Sequence, residues 1–198
     1  MSKHIGRHLP IRRNNIVGKL AIFLADGFEE IEGLTVVDIC RRCGLTIDTI
    51  SINATTDVMS SHKIPVRADK VFSEIDPEDY EMLILPGGGL GTKNLEAFEP
   101  LMQALDRFHA AGKSIAAICA APSIFGHRGY LNGRNATCYP GFEDQLTGAD
   151  AKGTPVEISD HIITGRGMGT SIDFALAIAA RFAGQAKADE VAHGITYR

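Results

Sequence analysis

From residue 17 onward, short apolar blocks alternate with segments of helical spacing. Residues 17–25, 82–85 and 114–118 are nearly unbroken apolar runs, and such runs, bounded by turn residues, predict strands buried on both faces. Residues 29–43 carry helical spacing and stop at Gly44, which predicts a helix with a glycine just past its end. A second strand is expected over 45–52, and short β-prone pieces over 55–71, broken by Ser60-Ser61 and Pro65. After the strand at 82–85 come a glycine loop at 87–91 and helical segments at 94–98 and 100–111. Downstream of 114–118 the pattern predicts a helix, a strand over 136–139, a helical turn near 142–146, short strands at 155–158 and 162–164, and an Ala-rich amphipathic helix over 172–182. Apolar strands alternating with helices indicate an α/β doubly wound sandwich with a mostly parallel central sheet. In that architecture ligands bind beyond the carboxyl ends of the strands, so the residues that follow each strand are where chemistry is expected.

Composition narrows the classes. The 198 residues are 44% hydrophobic and 22% charged, which fits a globular chain able to bury a core and excludes intrinsic disorder. The net charge of −4 gives no general basic surface, so no nucleic-acid partner is expected. Lys3, Arg7, Arg12, Arg13 and Lys19 lie in a stretch without acids, and residues 1–16 are read as an N-terminal extension ahead of a single domain over 17–198. No export signal and no membrane-spanning run is recognisable, so a cytoplasmic protein is expected. Four cysteines are too few and too scattered for a disulfide framework. Cys40 and Cys43 have C-x-x-C spacing but precede a helix end, where the dipole opposes a thiolate, and they read as core residues. No metal-ligand spacing is found, and no cofactor is expected.

Three strand ends carry candidate chemistry. Glu32 heads a stripe with Val36, Ile39 and Cys43 at helical spacing, so its carboxyl either points inward as a functional acid or caps the first turn. Pro86-Gly87-Gly88-Gly89-Leu90-Gly91 is either a plain tight turn or a cradle of backbone N–H groups for an anion or oxyanion. It matches neither a dinucleotide fingerprint nor a Walker loop. Cys119 follows an apolar strand, has alanine neighbours and precedes Pro122, the pattern of a nucleophile elbow opening a helix. At a helix N-terminus its pKa is expected to fall below the ~8.5 of a free thiol. Each feature alone has a bland explanation in core packing or turn formation; together they favour a site.

Glu29-Glu30-Ile31-Glu32, the glycine loop after Leu85, Ala116 to Pro122, and Gly165-Arg166-Gly167-Met168-Gly169-Thr170-Ser171 occur in the order seen in the ThiJ/PfpI superfamily, which this chain resembles over about residues 17–184. The resemblance implies a flavodoxin-like fold and a homodimer. It implies that Cys119 is an oxidation-sensitive nucleophile and Glu32 a protonated carboxyl hydrogen-bonded to it. Gly88 and Ala120, with Gly87 beside them, are implied as the backbone donors of an oxyanion and substrate site, and Arg42 and Arg166 match family arginines near it. Two positions depart from other branches. Ala120 stands where the protease-like branch carries histidine, which disfavours peptide hydrolysis, and Tyr139 stands where some members place a histidine near the cysteine. His62 and His127 read as surface loop residues. The expected function is a cofactor-free, cysteine-dependent glyoxalase or deglycase acting on methylglyoxal, a small α-oxoaldehyde, or on its protein adducts. The alternative is a redox sensor or redox-regulated chaperone without turnover; protease and thiazole-biosynthesis roles rank behind both.

Overall fold

A computed structural model describes residues 18–197; the expectations for residues 1–16 and for Val17 lie outside them. The strands are β1 (Lys19–Leu24), β2 (Thr46–Ser51), β3 (Asp57–Met59), β4 (Pro65–Arg67), β5 (Lys70–Val71), β6 (Met82–Leu85), β7 (Ser114–Ile118), β8 (Asn135–Ala136), β9 (Asp150–Ala151), β10 (Val156–Ser159) and β11 (Ile162–Gly165). The helices are α1 (Glu30–Arg42), α2 (Gly89–Ala97), α3 (Glu99–Ala110), α4 (Pro122–His127), α5 (Ser171–Ala183) and α6 (Gln185–Gly194).

The central sheet has the order β10-β11-β7-β6-β1-β2-β5. All its pairings are parallel except β10 against β11, so the sheet is mostly parallel with one antiparallel edge. Side chains alternate across β1: Leu20, Ile22 and Leu24 join the core under α1, α5 and α6, whereas Ala21, Phe23 and Ala25 join the core under α2, α3 and α4. This two-sided burial explains the uninterrupted apolar runs, and it is the flavodoxin-like arrangement of a doubly wound sandwich. Strand order reverses at β1, with β2 on one side and β6 on the other. A crevice at such a switch point is where this architecture places its ligands.

Several elements differ from the sequence pattern. The glycine loop is short, because Gly89 already opens α2. The predicted strand at 136–139 shortens to β8, which pairs with β9 away from the central sheet. Helix α6 was not anticipated: Ala188 and Val191 are its buried residues, so it lacks a strong apolar stripe.

Candidate active site

Three segments leave the carboxyl ends of β1, β6 and β7 and meet. The first is the start of α1. Glu29 is its N-cap, accepting from the Glu32 N–H at 2.8 Å, so the capping role belongs to Glu29 and leaves the Glu32 carboxyl free to turn inward. Glu32 is completely buried. Its Oε2 accepts from the Gly87 N–H at 2.9 Å, while Oε1 has no hydrogen-bond partner among the described residues.

The second segment is the glycine turn after β6. A Cβ on Gly87 would lie 2.6 Å from both Cys119 Cβ and Glu32 Oε2, and 3.0 Å from Cys119 Sγ. Glycine is required here because the thiol and the carboxyl converge on its Cα. Gly88 has φ +91°, and a Cβ there would lie 2.4 Å from the Gly27 carbonyl oxygen. Gly87 is a correction to the sequence reading: its N–H is engaged by Glu32 and is not available to an oxyanion.

The third segment is the elbow after β7. Cys119 has φ +67°, a left-handed conformation that non-glycine residues rarely adopt. Its N–H donates to the Gly165 carbonyl at 3.0 Å and its carbonyl accepts from the Tyr139 N–H at 2.8 Å, so β11 and the segment after β8 hold the strained residue in place. The N–H groups of Gly88 and Ala120 act on the sulfur, and neither donates to a backbone carbonyl among the described residues.

Electrostatically the thiol and the carboxyl form one unit. Burial raises the Glu32 pKa to about 7, the charge of Glu29 adding to the rise while Cys119 and the N–H groups of Gly87 and Met168 oppose it. Burial also raises the Cys119 thiol, to about 12, with Glu32 adding to the rise and the Gly88 and Ala120 N–H groups opposing it. The expected drop below a free thiol is therefore reversed: desolvation of the sulfur and the adjacent carboxylate outweigh two backbone donors.

The remaining candidates separate. Tyr139 and Arg166 line a shallow pocket with Met168 and Thr170, where Tyr139 is half exposed and Arg166 donates to the Gly153 carbonyl. Arg42 is not near the thiol within the chain, which corrects that expectation. It occupies the last turn of α1, ten residues beyond Glu32 and hence about 15 Å along the axis, and it pairs with Asp38. His62 is exposed and paired with Glu30 at 2.7 Å. His127, at the end of α4, bridges Glu96 at 2.6 Å and Gln145 at 2.9 Å, a cluster that sequence spacing did not signal because its members come from separate elements. Cys40 and Cys43 are buried free thiols, as read from their place at the helix end.

The family model for the DJ-1/PfpI family matches residues 18–181. The chain belongs to the DJ-1/PfpI family. As a family member it is 34% identical to "Protein dj-1beta" of Drosophila melanogaster, over 88% of this chain and 94% of that one. It is 35% identical to "Protein DJ-1 homolog B" of Arabidopsis thaliana over 91% of this chain, which spans 42% of that longer protein. The solved structure of oxidized Toxoplasma gondii DJ-1 superposes with a TM-score of 0.87 at 32% identity, covering 91% of this chain and 98% of that one. This DJ-1/PfpI fold places Cys119 and Glu32 at the carboxyl ends of the central strands, and no described helix is long and apolar enough to cross a membrane.

Proposed function

We propose that the chain is a cofactor-free, cysteine-dependent glyoxalase of α-oxoaldehydes, able to act as a deglycase where the aldehyde is already borne on a protein side chain. The observation that carries this reading is the contact of a nucleophile-elbow thiol with a buried carboxyl whose pKa stands near 7. A general base is most effective when its pKa is near the working pH, and among the described residues Glu32 is the carboxyl that touches Cys119.

The chemistry balances without an external oxidant or reductant. The Glu32 carboxylate takes the S–H proton, and the thiolate sulfur bonds to the aldehyde carbon of methylglyoxal. The carbonyl electron pair moves onto oxygen, where the Gly88 and Ala120 N–H groups hold it, and Glu32 returns its proton to that oxygen, giving the hemithioacetal and restoring the carboxylate. Glu32 then removes the proton from that carbon while the adjacent ketone oxygen accepts the electrons, giving an enediolate, and the hydroxyl proton on the first carbon passes to that oxygen. Return of the proton to the second carbon yields a lactoyl thioester. Water cleaves the acyl–sulfur bond, releasing lactate and restoring the thiol, so one carbon is oxidised and its neighbour reduced.

Exposed Ile31 and Leu34 on α1 support pairing with a second copy as a homodimer. A redox-sensor reading draws support from the same donors, because Glu32, Gly88 and Ala120 are placed to hold an oxygen added to sulfur, and a relative has been solved oxidized. The deciding experiment is lactate formation from methylglyoxal by reduced protein, with chelator and without glutathione. Turnover is expected in the intact chain, with a loss of about 10²- to 10⁴-fold in Glu32→Gln. Absence of turnover in the intact chain overturns the enzyme reading and leaves the sensor.

A further inference from the structure

Beside the thiol, α2 and α4 face each other across a groove of about 390 Å³, closed on its third side by the segment carrying Phe142 and Gln145. The groove starts at Gly89 and Ala120, the residues that directly follow Gly88 and Cys119. A substrate bonded to the sulfur with its oxygen on the Gly88 and Ala120 N–H groups therefore has this groove as an outlet for whatever the reacting aldehyde is attached to. Methylglyoxal, with five heavy atoms, does not need a space of this size, which lies in the range of pockets that hold larger ligands.

The lining has a defined chemistry. Thr92 and Lys93 come from α2. Thr92 is 5% exposed and its Oγ1 has no hydrogen-bond partner among the described residues. A buried hydroxyl left without a partner is unfavourable, and threonine in a helix has two accessible χ1 rotamers, so rotation about χ1 is able to turn the hydroxyl toward a ligand. Lys93 is exposed and has no acidic partner among the described residues. The groove's own acid, Glu96, is held by His127 at 2.6 Å, a contact that raises the His127 pKa, so Glu96 is already engaged and Lys93 is the charged group of the groove left without a partner among the described residues.

We propose that this groove is a substrate subsite for the α-oxoaldehyde adduct of a free amino acid or other small carboxylate-bearing thiol or amine, with the carboxylate on Lys93 and a polar atom of the adduct on the Thr92 hydroxyl. The choice of ligand rests on the glyoxalase and deglycase reading above, whereas the groove itself does not.

The test is calorimetric binding of N-acetyl-S-(2-oxopropyl)cysteine, a thioether that retains the ketone of a methylglyoxal–cysteine adduct and cannot turn over, compared with its carboxamide. The carboxylate form is expected to bind the intact chain about fivefold more tightly than the carboxamide, the effect of one exposed charge pair. In Lys93→Gln that ratio is expected to fall to about one. Thr92→Val is expected to weaken both ligands about fivefold, the effect of one hydrogen bond, without lowering the melting temperature of the free protein. Equal binding of the two forms to the intact chain, or a ratio unchanged in Lys93→Gln, overturns the proposal. Methylglyoxal turnover is measured separately on the same protein, so loss of the enzyme reading and loss of the subsite are distinguishable.

Discussion

Cys40 and Cys119 are both buried enough for desolvation to raise their thiols to about 12, yet they sit in opposite surroundings. Cys40 lies near the C-terminal end of α1, where the helix dipole opposes negative charge, and its principal electrostatic neighbour is another thiol, Cys43. Cys119 lies on a strained turn that opens a helix, is partly exposed, and touches a carboxyl with a pKa near 7. Burial raises the thiol in both surroundings, so the difference between the two cysteines lies in what else surrounds the sulfur. A proton acceptor of matched pKa, backbone donors for the charge that forms, and access from solvent are the distinguishing features.

The largest expected effect breaks this comparison at the thiols. Cys119→Ala is expected to lower lactate formation by at least about 10³-fold, the scale of losing a covalent nucleophile, whereas Cys40→Ala leaves it within about twofold. Comparable losses in both variants, with both proteins folded by circular dichroism, contradict the assignment of the nucleophile to Cys119.

The next effect sharpens the comparison at the carboxyl. The Glu32 pKa is raised from an ordinary 4.5 to about 7 by burial, so the folded state holds a proton that the unfolded chain has released. Glu32 therefore contributes stability that is fully present below about pH 4.5 and is lost as pH rises toward 7, a change of about 3 kcal/mol for a shift of this size. Denaturant unfolding across pH 4.5 to 8 is expected to show this decline in the intact protein and to show it reduced by about 3 kcal/mol in Glu32→Gln. Parallel profiles for the two proteins rule out a carboxyl protonated by burial.

The strand ends and the elbow were legible because their signals are local. An apolar run followed by Cys119-Ala120-Ala121-Pro122 specifies both the strand and the turn, and four ordered motifs carry the resemblance to the family. What stayed hidden depends on long-range placement. Gly87 looks like an anion-binding donor in sequence, but its N–H meets a carboxyl 55 positions earlier in the chain. The thiol was expected to be acidic from its place at a helix start, and burial by segments distant in sequence reversed the sign. Arg42 shares a helix with Glu32, but helical rise separates them, a distance that motif matching does not register. The antiparallel pairing of β10 with β11 is likewise a matter of partner choice, since both are short strands whose own patterns do not state their direction.

The smallest expected effect tests whether the slope assigned to Glu32 belongs to it. Cys40→Ala removes a buried sulfur from the core under α1 and is expected to cost about 1 kcal/mol, at the low end of large-to-small core substitutions. It should not change the slope between pH 4.5 and 8. The Cys40 thiol is raised from 9.0 to about 12, so it is neutral in both folded and unfolded chains throughout that window. Its own linkage lies higher: stability from the neutral buried thiol is present below about pH 9 and lost as pH climbs toward 12, so above pH 9 the intact protein should lose stability faster than Cys40→Ala. Two thiols raised by desolvation to the same value then separate by pH. Cys40 acts on stability in the alkaline range alone, and Cys119 is coupled through Glu32 to the neutral range in which catalysis is expected. A Cys40→Ala profile flattened between pH 4.5 and 8 would instead assign the neutral-range proton to the core under α1 and remove the electrostatic distinction between the two cysteines.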